Sequence, residues 1–410
     1  MPGDDFVIYQ KVIQASPEQI FRAFTSSTAL REWLCDVATT NPEVGGRIFL
    51  AWNKGYFASG HYTNLIPGQQ VEFTWIGKDE PVWTRVSVAI KNLDDDKGCL
   101  VELRHSGLGF DTEWEKAREE ITTGWEAGLE NLRSTLEEGL DLRLLQRPLI
   151  GIYPEEVANL NHETKARLGI SFNDGVFVLD VVPGYGGEKA GIKSNDVIYA
   201  IDGRKVDSIR TLSSIMNESK PGDSIAIDVF RGTEKLTFII DTMAQAFEDL
   251  PGTPESLARE VEKRSLEVLE RLEKILAGIT ESEASFSPGA EEWSIKDILV
   301  HLIHTEREIQ SWITDLVGGQ ERHQDEWTGN QLFRIRATLA SYPTLDELLD
   351  QLRRSLKESI ALVAFIDPSF TERKASYHRL GNDLLGYSKH FEEHIKQITE
   401  NIEVARKSKP

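Results

Sequence analysis

Apolar residues recur along the chain with three different rhythms. Residues 6 to 140 read as strand, helix, several strands and one long helix. Phe6–Ile13 is β-rich. Ser16-Pro17-Glu18-Gln19 carries the marks of a helix start: Ser16 as cap, Pro17 in the first turn and Gln19 closing a capping box. Ile20, Ala23 and Phe24 give that helix an apolar face. Strands are predicted around 47–52, 56–64, 70–76, 83–90 and 99–105. A helix over 113–138 then stacks Trp125, Leu129, Leu132 and Leu136 on one side. A second β-rich stretch runs from Arg147 to about Asp241, with a short helix over 209–218 and a final hairpin through Gly232. From 254 to 406 the period is helical throughout. One helix carries Leu257, Val261, Val268 and Leu272, and a second is capped by Ser294. A third opens at Thr344-x-x-Glu347, and a fourth spans about Asn382 to Arg406. Four helices of this length predict a four-helix bundle.

Linkers fall at 140–147 and 244–254, the latter holding Pro251-Gly252. The expected architecture is a multidomain α+β chain: an α/β domain over 1–142, a β-rich domain over 147–243 and an all-α bundle over 254–410. Composition agrees, since 410 residues exceed one ordinary core and 40% apolar with 28% charged residues describes a globular chain. The net charge of −21 argues against a nucleic-acid or anionic-membrane surface. The start has no basic n-region, and no run approaches the roughly 18 apolar residues of a membrane span. Cys35 and Cys99 are expected to be reduced structural thiols of a cytoplasmic protein.

Motif order within each segment resembles a known family. The Leu30-x-x-Trp33 turn, Val44-Gly45-Gly46-Arg47, Val71-Glu72-Phe73-Thr74-Trp75 and Gly124-Trp125 leading to Leu136-Glu137-Glu138-Gly139 resemble the helix-grip domains (SRPBCC, START-like) typified by the C-terminal part of the activator of Hsp90 ATPase. This resemblance settles the reading of Gly107-Leu108-Gly109-Phe110, the tetrapeptide signature of peptide-binding PDZ domains. Here it ends the last strand before the long helix, where its glycines serve a turn. The segment that does resemble a bacterial, protease-type PDZ domain is later. It carries Arg147-Pro148-Leu149-Ile150-Gly151-Ile152, then Glu188-Lys189-Ala190-Gly191-Ile192 through Val197-Ile198, and Ile201-Asp202-Gly203. One departure is Gly186-Gly187, where a small residue and Pro-Ala are more usual, in a loop expected to lie away from the peptide groove. The resemblance implies a C-terminal carboxylate held on the backbone of Leu149, Ile150 and Gly151. The partner strand would lie beside Ile152, with Leu212, Ile215 and Met216 around its last side chain. No protease nucleophile motif precedes it.

The bundle carries the metal-like constellation. His390 and His394 lie four apart, so both rings project from adjacent turns of one helix. With nine histidines, about 0.2 such pairs arise by chance. His301 flanks the apolar stripe of the second helix at a similar offset, while His304 is expected further out toward solvent. Trp293-Ser294-x6-His301-Leu302 with His390-x3-His394-x2-Gln397-Ile398 resembles the DinB superfamily. That resemblance implies a divalent metal, zinc or nickel, on His301, His390 and His394 with an open coordination position. Some members of that family transfer low-molecular-weight thiols. The competing reading is of histidines merely satisfied at a helix edge. Glu306, Glu308 and Glu393 are candidate bases, expected on solvated helix faces. Trp52, Phe57, Phe73, Trp75 and Trp83 are candidates for an apolar ligand cavity in the first domain, or else its core. His105 and Ser106 have no third partner for a triad.

Two functions follow. One is a binding scaffold, chaperone- or stress-related, that recruits protein C-termini and holds a small apolar ligand. The other is a metal-dependent transferase or hydrolase centred on the bundle.

Overall fold

The structure is a computed structural model that describes residues 5–93, 98–289, 292–321 and 331–408. The chain divides into two compact units, one formed by residues 1–141 with 248–410 and the other by 142–247.

In the first unit, β1 (Phe6–Ile13) is followed by α1 (Pro17–Thr25), α2 (Ser27–Trp33), β2 (Val37–Thr40), β3 (Arg47–Ala51), β4 (Phe57–Ile66), β5 (Gln70–Gly77), β6 (Thr84–Asn92), β7 (Cys99–Ser106) and α3 (Glu115–Glu137). The predicted capping box closes α1: Gln19 N–H donates to Ser16 Oγ at 3.2 Å, and Ser16 N–H to Gln19 Oε1 at 2.8 Å. The sheet is antiparallel, in the order β1-β7-β6-β5-β4-β3-β2. Strict alternation along β5 turns Val71, Phe73 and Trp75 to the core, where α3 lays Trp125, Leu129 and Leu132 over them. Each such buried side chain contributes about 1.5–3 kcal/mol. His105 is fully buried at the end of β7. Its Nδ1 accepts from Trp125 Nε1 at 3.0 Å and its Nε2 lies 2.7 Å from Thr84 Oγ1. The Gly107-Leu108-Gly109-Phe110 turn follows. Gly107 has φ +88°, and a Cβ on Gly109 would meet the Trp114 ring at 2.1 Å. Cys35 and Cys99 are both buried and unbridged.

The second unit holds α4 (Leu142–Leu145), β8 (Ile152–Glu156), α5 (His162–Leu168), β9 (Val176–Val181), α6 (Gly186–Ala190), β10 (Asp196–Ile201), β11 (Arg204–Lys205), α7 (Ile209–Met216), β12 (Ser224–Arg231) and β13 (Glu234–Asp241). Its sheet runs β13-β12-β10-β9-β8, with β11 on β10, so β8 forms one edge. Val176, Val178, Ile198, Ile201, Ile227 and Val229 fill its core.

Helices α8 (Pro254–Leu276), α9 (Glu281–Ala284), α10 (Ile295–Gly318), α11 (Gln331–Ser341), α12 (Leu345–Ala364), α13 (Lys374–Gly386) and α14 (Ser388–Lys407) complete the first unit. Capping boxes at Thr253, Ser294 and Thr344 start α8, α10 and α12. These three helices and α14 enclose Leu272, Ile298, Leu302, Leu352 and Ile398.

The helical region departs from the sequence reading. The expected fourth helix is broken at Gly386–Tyr387, because the Leu385 carbonyl accepts from Arg264 Nη1 on α8 at 3.0 Å. Residues of the first and third segments lie in one compact unit and bond to each other. Glu321 joins Arg31 at 2.9 Å, Arg379 and the Trp312 indole, while Ser376 donates to the buried carboxylate of Glu32. Gln19 Nε2 donates to Glu372 O at 3.0 Å, and Lys374 Nζ to Glu137 O at 2.6 Å.

Candidate functional site

Helices α10 and α14 bring His301, His390 and His394 together. The capping box at Ser294 sets where α10 begins, and Arg271 of α8 grips Glu392 through Nη1 and Nη2 to hold α14. His390 Nε2 lies 3.3 Å from His301 Nε2 and 3.0 Å from His394 Nε2. One ligand atom from each of the three rings falls within 4.8 Å of the others. Three metal–nitrogen bonds of about 2.0–2.1 Å at tetrahedral angles would separate their nitrogens by about 3.3 Å, so the donor set suits a divalent ion.

The electrostatics agree with the geometry. Burial pushes His301 down to about 4 and His390 to about 3, aided by the neighbouring imidazoles, and it lowers His394 as well. Neutral imidazole is the ligating form. His394 Nδ1 lies 3.0 Å from Gln397 Oε1, which can only accept, so the proton sits on Nδ1 and the Nε2 lone pair faces the other rings. Among the described residues, His390 Nδ1 is buried without a hydrogen-bond partner. The Trp293 ring packs against His301 at 5.0 Å between centroids and the Tyr387 ring against His390 at 5.4 Å.

His304 is not the solvent-facing residue the periodicity predicts. It is 8% exposed, and its Nε2 lies 2.8 Å from Thr338 Oγ1 on α11, a helix the sequence reading does not contain. Glu306 corrects the reading in the same way, being 2% exposed and accepting from Ser359 Oγ at 2.6 Å. Burial lifts its carboxyl to about 7. It lines a cavity between α8, α10, α12 and α14 with Ser359, Tyr387 and Phe391. The signal that could have found Glu306 is a lone acid on the apolar face of α10. Glu308 is surface-bound to Arg334.

In the second unit, Leu149, Ile150 and Gly151 form a turn just before edge strand β8. Leu149 exchanges both backbone hydrogen bonds with Met243, at 2.8 and 2.9 Å. Among the described residues the N–H groups of Ile150 and Gly151 meet no protein acceptor, as a carboxylate cradle requires. Gly151 has φ +75°, and a Cβ there would strike Tyr185 at 2.1 Å. Leu212, Ile215 and Met216, each 6–7% exposed, belong with Ile150 to one apolar cluster. The Gly186-Gly187 loop does not lie away from the groove. Gly187 N–H donates to the Ile150 carbonyl at 2.8 Å, and a Cβ on Gly187 would approach that oxygen to 2.8 Å. The glycine pair lets α6 seat directly against the turn.

The five aromatics of the first domain do not converge on one cavity. Phe73 and Trp75 are core, with Trp52 against Trp75 at 6.5 Å. Phe57 and Trp83 are 44% and 53% exposed and pair instead with Phe49 and His61, because strand alternation turns Phe57 outward and Trp83 precedes β6.

Family models match three stretches of the chain. Residues 14–137 match the family model for Activator of Hsp90 ATPase homolog 1-like protein, residues 148–242 that of the PDZ domain, and residues 266–398 that of the DinB superfamily. Among curated proteins, the serine protease Do-like HtrA of Bacillus subtilis (strain 168) is 30% identical over 112 residues, 26% of this chain and 25% of that protein. The periplasmic pH-dependent serine endoprotease DegQ of Escherichia coli (strain K12) is 29% identical over 107 residues, 26% of this chain and 23% of that protein. The chain thus spans about a quarter of the length of these relatives. Similar solved structures include the Aha1 dimer from Colwellia psychrerythraea, at 26% identity, 33% of this chain, 97% of that chain and TM-score 0.30. The HtrA3 PDZ domain bound to a phage-derived ligand (FGRWV) is similar at 24% identity, 24% of this chain, 89% of that chain and TM-score 0.22. No helix among the described residues is long and apolar enough to cross a membrane. The chain therefore carries, in order, stretches that match the models for Activator of Hsp90 ATPase homolog 1-like protein, the PDZ domain and the DinB superfamily.

Proposed function

We propose that this protein is a binding scaffold that recruits protein C-termini through residues 147–243 and holds a divalent metal, zinc or nickel, on His301, His390 and His394. The observation that carries the metal is the convergence of three neutral imidazoles, with His394 fixed in one tautomer by Gln397. When bound, such an ion supplies a Lewis acid with a position open to water, a thiolate or an acid. The protein's own part is to orient the rings and to pack Trp293 and Tyr387 against them. Recruitment is supported by the unpartnered N–H groups of Ile150 and Gly151 beside an edge strand. The likeness of the first segment to Hsp90 ATPase activators would make a chaperone its partner, in a cytoplasmic, stress-related setting.

A second reading, a metal-dependent transferase or hydrolase, is favoured by the buried acid Glu306 in its cavity beside Tyr387. Metal content by plasma mass spectrometry on the untagged protein and on a His390→Ala/His394→Ala variant tests both readings. Near-stoichiometric metal in the wild type, lost in the variant with peptide binding intact, is the expected result. No metal after reconstitution at neutral pH would overturn the metal site and the enzyme reading together. A turnover abolished by His394→Ala would favour the enzyme.

A further inference from the structure

Strand β8 offers an incoming chain an unusual edge. Opposite Ile152 stands Val181 of β9, and Val182 N–H donates to Gly151 O at 2.9 Å. That bond marks Ile152–Val181 as a pair that exchanges no hydrogen bonds of its own, so the N–H and C=O of Ile152 point to the open edge. At the far end of β8, Val157 N–H donates to Gly175 O at 3.2 Å while Glu156 faces Val176, which turns the backbone of Glu156 outward as well. Alternation then makes residue 154 the outward position between them, and residue 154 is proline. Its nitrogen carries no hydrogen. The next outward donor, Glu156 N–H, is already bound by Glu155 Oε1 at 2.8 Å, and Asn159 Nδ2 holds that same oxygen at 2.8 Å. The Glu156 carboxylate crosses to the start of α7, where it accepts from Ile209 N–H at 3.4 Å.

We infer that Pro154 and the Glu155–Glu156 pair truncate the groove, so that a partner is gripped only by the last three residues of its C-terminus. An antiparallel partner strand with its carboxylate on the Ile150–Gly151 turn would pair its final residue with Ile152. The residue two earlier then faces Pro154, whose carbonyl accepts one hydrogen bond while no N–H returns the second. The residue four earlier faces Glu156, whose donor is taken. Selectivity accordingly falls on the terminal side chain in the pocket of Leu212, Ile215 and Met216. Many C-termini with a suitable last residue would bind, each weakly. This inference rests on the recruitment reading above.

The test is isothermal titration of the full chain with acetylated RWV and acetylated FGRWV. The wild type is expected to bind the two peptides within about 2-fold of each other. Pro154→Val, and Pro154→Ala as a second variant, restore the missing donor and should tighten both peptides about 5-fold, the value of one hydrogen bond near 1 kcal/mol. A wild type that binds the five-residue peptide about 10-fold or more tightly than the three-residue one would overturn the truncation. So would folded variants with unchanged affinity for both peptides. The length comparison uses only the wild type and stands even where neither variant folds. Failure of wild type and variants to bind either peptide would instead overturn the recruitment reading, and the truncation with it.

Discussion

His105 should give the first unit a pH dependence that one substitution removes. The ring is fully buried, and burial holds it down from an ordinary 6.5 to about 3. The reason is visible in its bonds. Trp125 Nε1 is a donor, so His105 Nδ1 must carry a lone pair, which leaves the ring proton on Nε2 for Thr84 Oγ1. A second proton would set two donors against each other in the core. Because the folded ring binds its proton more weakly than the unfolded one, the unfolded chain takes up more protons below pH 6.5 and stability falls with pH. Between about pH 7 and pH 4.5 this one residue should cost about 2.5 kcal/mol, from roughly 1.36 kcal/mol per unit of pKa difference. All nine tryptophans lie outside residues 142–247, so urea denaturation followed by tryptophan fluorescence reads the unit that contains His105. His105→Gln should be less stable at neutral pH by about 1–3 kcal/mol, having lost a well-placed hydrogen bond. Its loss of stability on acidification should be smaller than that of the wild type by about 2.5 kcal/mol. Equal losses in both proteins would show that the folded ring accepts its proton freely, and the reasoning would be wrong.

Glu306 should act in the opposite sense. Its carboxyl is raised to about 7, so the folded state keeps a proton that the unfolded chain gives up above 4.5, and stability falls as pH rises through that window. Glu306→Gln should remove a penalty of about 3 kcal/mol at about pH 8, measured by urea midpoints at pH 5 and 8, and identical midpoint shifts would refute it. Glu321→Gln should strip Arg31 and Arg379 of their shared carboxylate, at a cost of about 3 kcal/mol in the same fluorescence assay. A loss below about 1 kcal/mol would mean that water already screens the cluster.

Much of this protein could be read one element at a time. The caps at Ser16, Ser294 and Thr344, the strand over 70–76 and the four-residue step from His390 to His394 depend on neighbours in sequence, and they stand as expected. The His301–His390–His394 cluster was legible because each ring sits at the margin of an apolar stripe, and stripes of one bundle must face each other. Harder cases are those in which a second neighbour decides. A helical period reports one buried face, but α10 is covered again by α11, which buries His304 against Thr338. Arg31 and Glu32 of α2 meet Glu321 and Ser376, partners 290 and 344 residues away that no local pattern reports. The break between α13 and α14 needs no proline, only an arginine on another helix that takes the Leu385 carbonyl.

Sequence alone therefore gave the three segments and their order from local period, and motif resemblance added the candidate residues for a metal or a carboxylate. The tertiary structure decided which polar groups are buried, which segments share a unit and which way each backbone donor points. Pro154 shows the difference. Its missing N–H is written in the sequence, but its consequence depends on the register between β8 and β9, which turns that nitrogen toward the open edge and not toward the sheet.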